Sequence, residues 1–352
     1  MRRKGGFRHG CDDLQESVLP GRFTRRSLLR DTVFDAHGRT YHSLWDRRPP
    51  SSRTSVIGRV MDVSPHLLVL RAHGGGERRF TLSPRTVAWR GSAVPSATLH
   101  TGDVVIVRHL AGRDVAERIW AQIGRVTGTI IEAVGRELLV DEGPTRRGRQ
   151  IVRIEAGSFR QIQVRFPRLE PGYLIDVIGT RQQGYLQAFT PATAQPPYRA
   201  DQSPSAPLLS GGLPASASGT AVWHEPGEEP PDLFGLAYPA LDPETGCGHG
   251  DAEEDTTAEP YVVDPHAVGP GCVRLPYLSV GSAVQVRNLC ADRSAVLPVT
   301  SCGAAARLFC DRCVVCDTSP RGRIADLTMT AFVELGGNLE DGCFNATLTM
   351  AG

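Results

Sequence analysis

Eight of the nine cysteines (Cys247, Cys272, Cys290, Cys302, Cys310, Cys313, Cys316 and Cys343) fall in the last 106 residues, and Cys11 stands apart. An even, dense set of thiols in one short stretch reads as a disulfide framework, and so as an oxidising compartment. Spacing does not choose among the pairings that eight cysteines allow. The run Cys310-Asp-Arg-Cys-Val-Val-Cys316 could instead seat a metal ion or an iron–sulfur cluster. Zinc sites usually present two such pairs, and no second CxxC follows here. The disulfide reading is therefore preferred, with no metal or cofactor expected.

The chain has 352 residues, enough for two or three domains. Its net charge of +1 hides a division. Residues 1–190 carry 31 Arg and Lys against 18 Asp and Glu, whereas residues 191–352 carry 8 against 20. The basic half would attract anionic polymers, and the acidic half argues against nucleic acid there. Lys4 is the only lysine, a bias that suits a GC-rich bacterial genome. Thr24-Arg-Arg-Ser-Leu-Leu-Arg30 looks like a twin-arginine export motif, yet Asp31, Asp35, His37 and Arg39 interrupt the apolar stretch that a signal peptide needs. No window approaches the ~20 apolar residues of a membrane span.

Residues 1–52 read as a disordered basic tail. An internal repeat follows. Val56-Ile-Gly-Arg-Val60 recurs as Gln122-Ile-Gly-Arg-Val126, 66 residues on, and Thr101-Gly-Asp-Val-Val-Ile-Val107 is matched 70 residues on by Pro171-Gly-Tyr-Leu-Ile-Asp-Val177. Short β-rich runs broken by Gly and Pro predict two small OB-like barrels, over 53–121 and 122–190. Gly74-Gly-Gly76 reads as a hairpin turn rather than a phosphate loop. The Pro-, Ala- and Ser-rich residues 191–218 predict an extended linker. In residues 219–352, strand candidates cover 219–224, 261–264, 282–288, 293–299 and 344–350. A short helix is predicted over 328–335, with Gly336-Gly337 as its stop.

The order Leu275-Pro-Tyr-Leu-Ser-Val, Arg293-Ser-Ala-Val-Leu-Pro-Val299, the cysteine run and Arg323-Ile-Ala-Asp-Leu-Thr328 resembles the six-stranded double-psi β-barrel of rare lipoprotein A-like proteins, expansins and barwin. The resemblance covers the C-terminal third and implies an all-β chain: two OB-like barrels, then a disulfide-rich double-psi barrel that grips polysaccharide. It points to Asp326, because those families have Asp-Leu-Ser at the matching place. In lytic members it implies an acid role in breaking a glycan bond. A buried carboxylate at a strand end can have its pKa raised, which suits a general acid; the plainer role is to cap the following helix. Cys310-Asp-Arg-Cys313 resembles an expansin-like stretch and would make Asp311 a second acid. A rival register aligns Val299-Thr-Ser301 with the Val-Asn-Asp of rare lipoprotein A-like proteins. Both registers stay open, and a surface turn is the plainer reading of Asp311.

Glycoside cleavage normally needs two carboxylates. Glu225, next to His224, is the assisting candidate, and Asp264 is another. Val273-Arg274 stands where the lytic family has a His before its Leu-Pro, a departure that favours an expansin-like action needing one acid and a binding surface. Trp223, Tyr238, Tyr261 and Tyr277, with Phe234, are the rings available to stack on sugars. The expected protein is exported or wall-associated and binds or remodels peptidoglycan or another β-linked glycan. As an enzyme it would be a lytic transglycosylase-like one, and its basic half would hold anionic wall polymer. Two alternatives remain: a non-enzymatic scaffold, and a nucleic-acid-binding OB-type protein using Arg78, Arg79, Arg85, Arg90, Arg146, Arg147, Arg149, Arg160 and Arg165 with a metal-binding C-terminal domain.

Overall fold

The computed structural model describes residues 54–239, 273–303, 308–315 and 322–350, apart from 111, 144–145, 198, 202–215, 228, 274, 277 and 314. The N-terminal tail with its export-like motif, the 261–264 strand candidate, Asp264, Tyr261, Tyr277, Cys11, Cys247, Cys272 and Cys316 lie outside the described residues.

The chain is mostly β. A first sheet holds β1 (Ser55–Val63), β2 (Leu67–Ala72), β3 (Glu77–Thr81), β4 (Val87–Trp89), β5 (Ala93–Val94), β6 (Val104–His109) and β7 (Ala116–Ala121). Its order is β3-β2-β1-β6-β7-β4-β5, and a parallel bridge from Thr81 to Val115 brings the end of β3 to the start of β7. The glycines at 74–76 do form a hairpin turn, in which the Ala72 N–H donates to the Gly76 carbonyl.

The second unit is a closed five-stranded barrel. It holds β8 (Ile123–Val134), β9 (Glu137–Asp141), β10 (Arg149–Ile154), α1 (Phe159–Arg165), β11 (Leu174–Gln182) and β12 (Tyr185–Pro191), in the order β10-β12-β11-β8-β9. The two halves of the sequence repeat coincide with equivalent strands: β1 with β8, and β6 with β11.

The third unit is a closed six-stranded barrel of β13 (Ser216–His224), β14 (Leu236–Tyr238), β15 (Ala283–Asn288), β16 (Arg293–Cys302), β17 (Arg323–Thr328) and β18 (Cys343–Met350), with α2 (Met329–Glu334) between the last two. Its order is β13-β17-β14-β16-β15-β18, and the β13–β17 and β14–β16 pairs are parallel. Cys313 and Cys343 form a disulfide, while Cys290, Cys302 and Cys310 are also disulfide-bonded. The helix starts as its sequence requires, because the Thr328 side chain accepts the Ala331 N–H. Asp326 does not cap it; that carboxylate lies one turn earlier, within β17.

Each smaller unit has its own core: Val60, Leu68, Phe80 and Ile119 in the first, and Val126, Val140, Val152 and Leu186 in the second. The third core is shared. Ile57, Ile106 and Trp120 of the first unit, together with Ile123, Ile178 and Ala192, pack into the cluster around Trp223, Leu236, Val284 and Phe332. The isoleucine of each repeated Ile-Gly-Arg-Val thus faces the six-stranded barrel. Polar contacts reinforce the joint. Glu334 accepts the Thr54 and Ser55 N–H groups at 2.6 and 2.9 Å, and Glu340 meets Arg118 at 2.6 Å and the Trp120 indole.

The expected linker is in part packed structure. Ala192 and Thr193 are buried, and Ala194 exchanges two backbone hydrogen bonds with Arg312, so residues 192–194 join the second unit to the third. Among the described residues, no helix is long and apolar enough to cross a membrane.

A chain of four buried charges crosses the same joint. Arg125 of β8 pairs with Asp176 of β11 at 2.6 Å, Asp176 also meets Arg323 of β17, and Arg323 meets Asp311 at 2.8 Å. Burial opposes ionisation of Asp176, but the two guanidiniums outweigh it and hold the carboxyl below its usual range. Removing one partner from such a set strands the others. Asp176→Asn is expected to cost about 3–5 kcal/mol of unfolding free energy, read as a lower urea midpoint.

Candidate functional site

The parallel pairing of β13 with β17 sets Val222 beside Asp326 and His224 beside Thr328. Two polar residues therefore emerge together at the end of β13, next to the carboxylate of β17. The five-stranded barrel meets them with its β9–β10 loop. Asp141 accepts the Gly143 N–H, and Gly143 takes the left-handed conformation, with φ of 83°, that lets the chain turn. This turn delivers Arg146 and Arg147.

Asp326 is fully engaged. Its Oδ1 lies 3.1 Å from His224 Nδ1, and its Oδ2 accepts from Arg146 Nη2 at 2.8 Å. His224 Nε2 lies 3.4 Å from Glu229 Oε2. Burial alone would push the Asp326 pKa up, but the charges of His224 and Arg146 outweigh it and hold it well below the usual carboxylate range. The expectation of a raised, proton-donating Asp326 is thus reversed. The reason is tertiary: His224 reaches the carboxylate from β13, and Arg146 comes from another barrel, 180 residues away in sequence.

Glu225 is also locked. It accepts Arg181 Nε at 2.8 Å, the Arg147 guanidinium and the backbone N–H of Arg125. The approach is close enough that a Cβ on Gly124 would sit 2.6 Å from Glu225 Oε1, so this repeat glycine is needed for contact between barrels. Two strand positions along, the Thr127 N–H donates to Glu142 at 3.0 Å. Burial, reinforced by the charge of Glu225, raises the Glu142 pKa to about 7, although the Thr127 hydrogen bond opposes this. Glu229 moves the other way: burial raises its pKa, and the hydrogen bond and charge of His224 lower it by more.

Asp311 joins neither carboxylate. It is completely buried and paired with Arg323, whose guanidinium also lies 3.8 Å from the Phe309 ring. It is neither a groove acid nor a surface turn. Trp223 and Tyr238 present no ring face to solvent. The Trp223 indole donates to the Leu339 carbonyl at 2.8 Å, and the Tyr238 hydroxyl donates to that of Pro276 at 2.9 Å. Burial pushes the Tyr238 hydroxyl well above its usual pKa. Cys313 is spent on Cys343, so its sulfur is no metal thiolate, and no group of three potential metal-binding side chains occurs among the described residues.

In front of Glu225 and Glu229 lies a cleft of about 690 Å³ bounded by all three units, with Arg59, Arg71 and Gln122 on one side and Arg147 and Arg181 on another. Sequence reasoning had singled out His224 and Glu225, and the structure gives both of them ionic partners. In the nucleic-acid alternative Arg146 and Arg147 would meet a strand; here Arg146 is buried against Asp326, and Arg147, still exposed, pairs with Glu225. Glu142 and Glu229 were missed. Neither carries a local signal, because burial and cross-barrel neighbours create their properties.

No protein-family model and no curated protein matches the chain. The family resemblance therefore rests on its quoted motifs and on the strand arrangement.

Glu142 gives a pH test. Its folded pKa of about 7 lies above the unfolded value of 4.5, so the folded state holds that proton more tightly. Its contribution to stability is full below pH 4.5, declines as pH rises to about 7, and is then flat. Glu142→Gln keeps an acceptor for Thr127 and removes the decline. The variant is expected to be more stable than wild type by on the order of 2–3 kcal/mol at pH 8, with the gap closing towards pH 4.5 in urea titrations.

Proposed function

We propose that this chain is an exported, wall-associated protein that binds peptidoglycan or another β-linked glycan without cutting it. In this reading the six-stranded barrel is of the double-psi kind, and the two smaller units are OB-like modules that present it to the wall. What supports it is that the barrel closes at six strands and that Asp326 lies in β17, two residues before the strand ends at Thr328 and a short helix begins.

The observation that carries the non-cutting part is the occupancy of Asp326. With Arg146 on one oxygen and His224 on the other, the carboxylate stays ionised and has no proton to give to a leaving oxygen. Binding then uses a polar cleft rather than a row of open aromatic rings. The nucleic-acid alternative has less behind it, since Phe80, Trp89, Trp120 and Phe166 are buried and two of its arginines are consumed.

Purified sacculi provide the test. The oxidised protein is expected to co-sediment with them and to release no soluble muropeptides by mass spectrometry. Release of anhydro-muropeptides by wild type would overturn the non-cutting reading. A protein that stays in the supernatant would overturn the glycan reading itself.

A further inference from the structure

The cleft between the three units has an unbalanced charge. Its lining includes four guanidiniums, those of Arg59, Arg71, Arg147 and Arg181, against the carboxylates of Glu225 and Glu229. Arg147 and Arg181 are spent on Glu225, and Glu229 faces His224. The surplus therefore sits on Arg59 and Arg71. These two are direct cross-strand partners in the β1–β2 ladder, and both are exposed. Like charges placed opposite each other on one ladder repel, and Glu77, which faces Arg71 across the β2–β3 ladder, is already held by Arg79 at 2.6 Å. Arg59 donates at 2.7 Å only to the Gly102 carbonyl, which leaves its charge uncompensated.

A second observation falls at the same place. Gln122 lines the cleft with φ of 54°, one of two non-glycine residues among those described with positive φ. A long side chain held in the left-handed region costs free energy, and such strain collects at ligand sites. The volume, about 690 Å³, is that of a site for a few sugar rings or a small ligand.

We propose that the Arg59–Arg71 pair receives the carboxylate of an acidic sugar residue in a glycan lying along this cleft. Two neighbouring guanidiniums can each donate N–H groups to one carboxylate, and its charge relieves their repulsion. Gln122 and Glu229 stand ready to take the sugar hydroxyls. This assignment rests on the glycan reading above and makes it specific: the preferred strand carries carboxylates.

The test uses the full oxidised chain and two β-linked hexasaccharides, a hyaluronan fragment with alternating glucuronate and chitohexaose without carboxylates. Calorimetry at low salt should give the hyaluronan fragment at least about tenfold the affinity of chitohexaose. The double substitution R59Q/R71Q changes exposed side chains only and should bring the two affinities within about twofold. Equal affinities in wild type, or a preference that survives the double substitution, would overturn the proposal while leaving glycan binding intact. Displacement of hyaluronan by inorganic phosphate at comparable concentration would reduce the pair to a general anion site and overturn it too. If neither hexasaccharide binds, the acidic-sugar assignment fails, and co-sedimentation with sacculi separately decides the glycan reading.

Discussion

Arg125, Asp176, Arg323 and Asp311 alternate in sign through the interior, and the relation between the five- and six-stranded barrels depends on them. None of the four could be buried alone, since the desolvation cost of a lone charge exceeds what a small domain can spare. Arg125 also donates to the Gly342 carbonyl at 2.7 Å, and Asp176 accepts from Thr127 and Thr193. Arg125, Asp176 and Arg323 thus have their full set of partners only when both barrels are docked. The apolar cluster shared by the three units supplies the driving force, and the charges set the register at which it closes.

That docking decides the chemistry of the site. Burial alone would raise the pKa of Asp326. His224 of the same barrel and Arg146, on a loop of the neighbouring one, together outweigh that effect. The same loop carries Glu142, which accepts one N–H and faces the charge of Glu225.

Several features were legible in the chain itself. The Ile-Gly-Arg-Val repeat marked β1 and β8. Alternation and turn residues marked β15, β16 and β18. Thr328 followed by an apolar face marked α2. These are local signals, carried by backbone geometry and side-chain period. The linker misled because Pro, Ala and Ser suit both an extended spacer and a strap packed flat between two barrels. Trp223 and Tyr238 misled because a ring in a strand can face a groove or the core, and strand period alone does not say which side is wet.

The sequence by itself determined most of the strands, the helix, the repeat and the placement of the cysteines, since each depends on neighbours a few positions away. Only the tertiary structure decided which carboxylates are ionised, which arginines remain free to meet a ligand and where a cleft opens. Those properties come from burial and from opposite charges that the chain brings together from far apart, 180 residues for Arg146 with Asp326 and 78 for Arg147 with Glu225. Over such separations the linear order carries no information about which charges will meet.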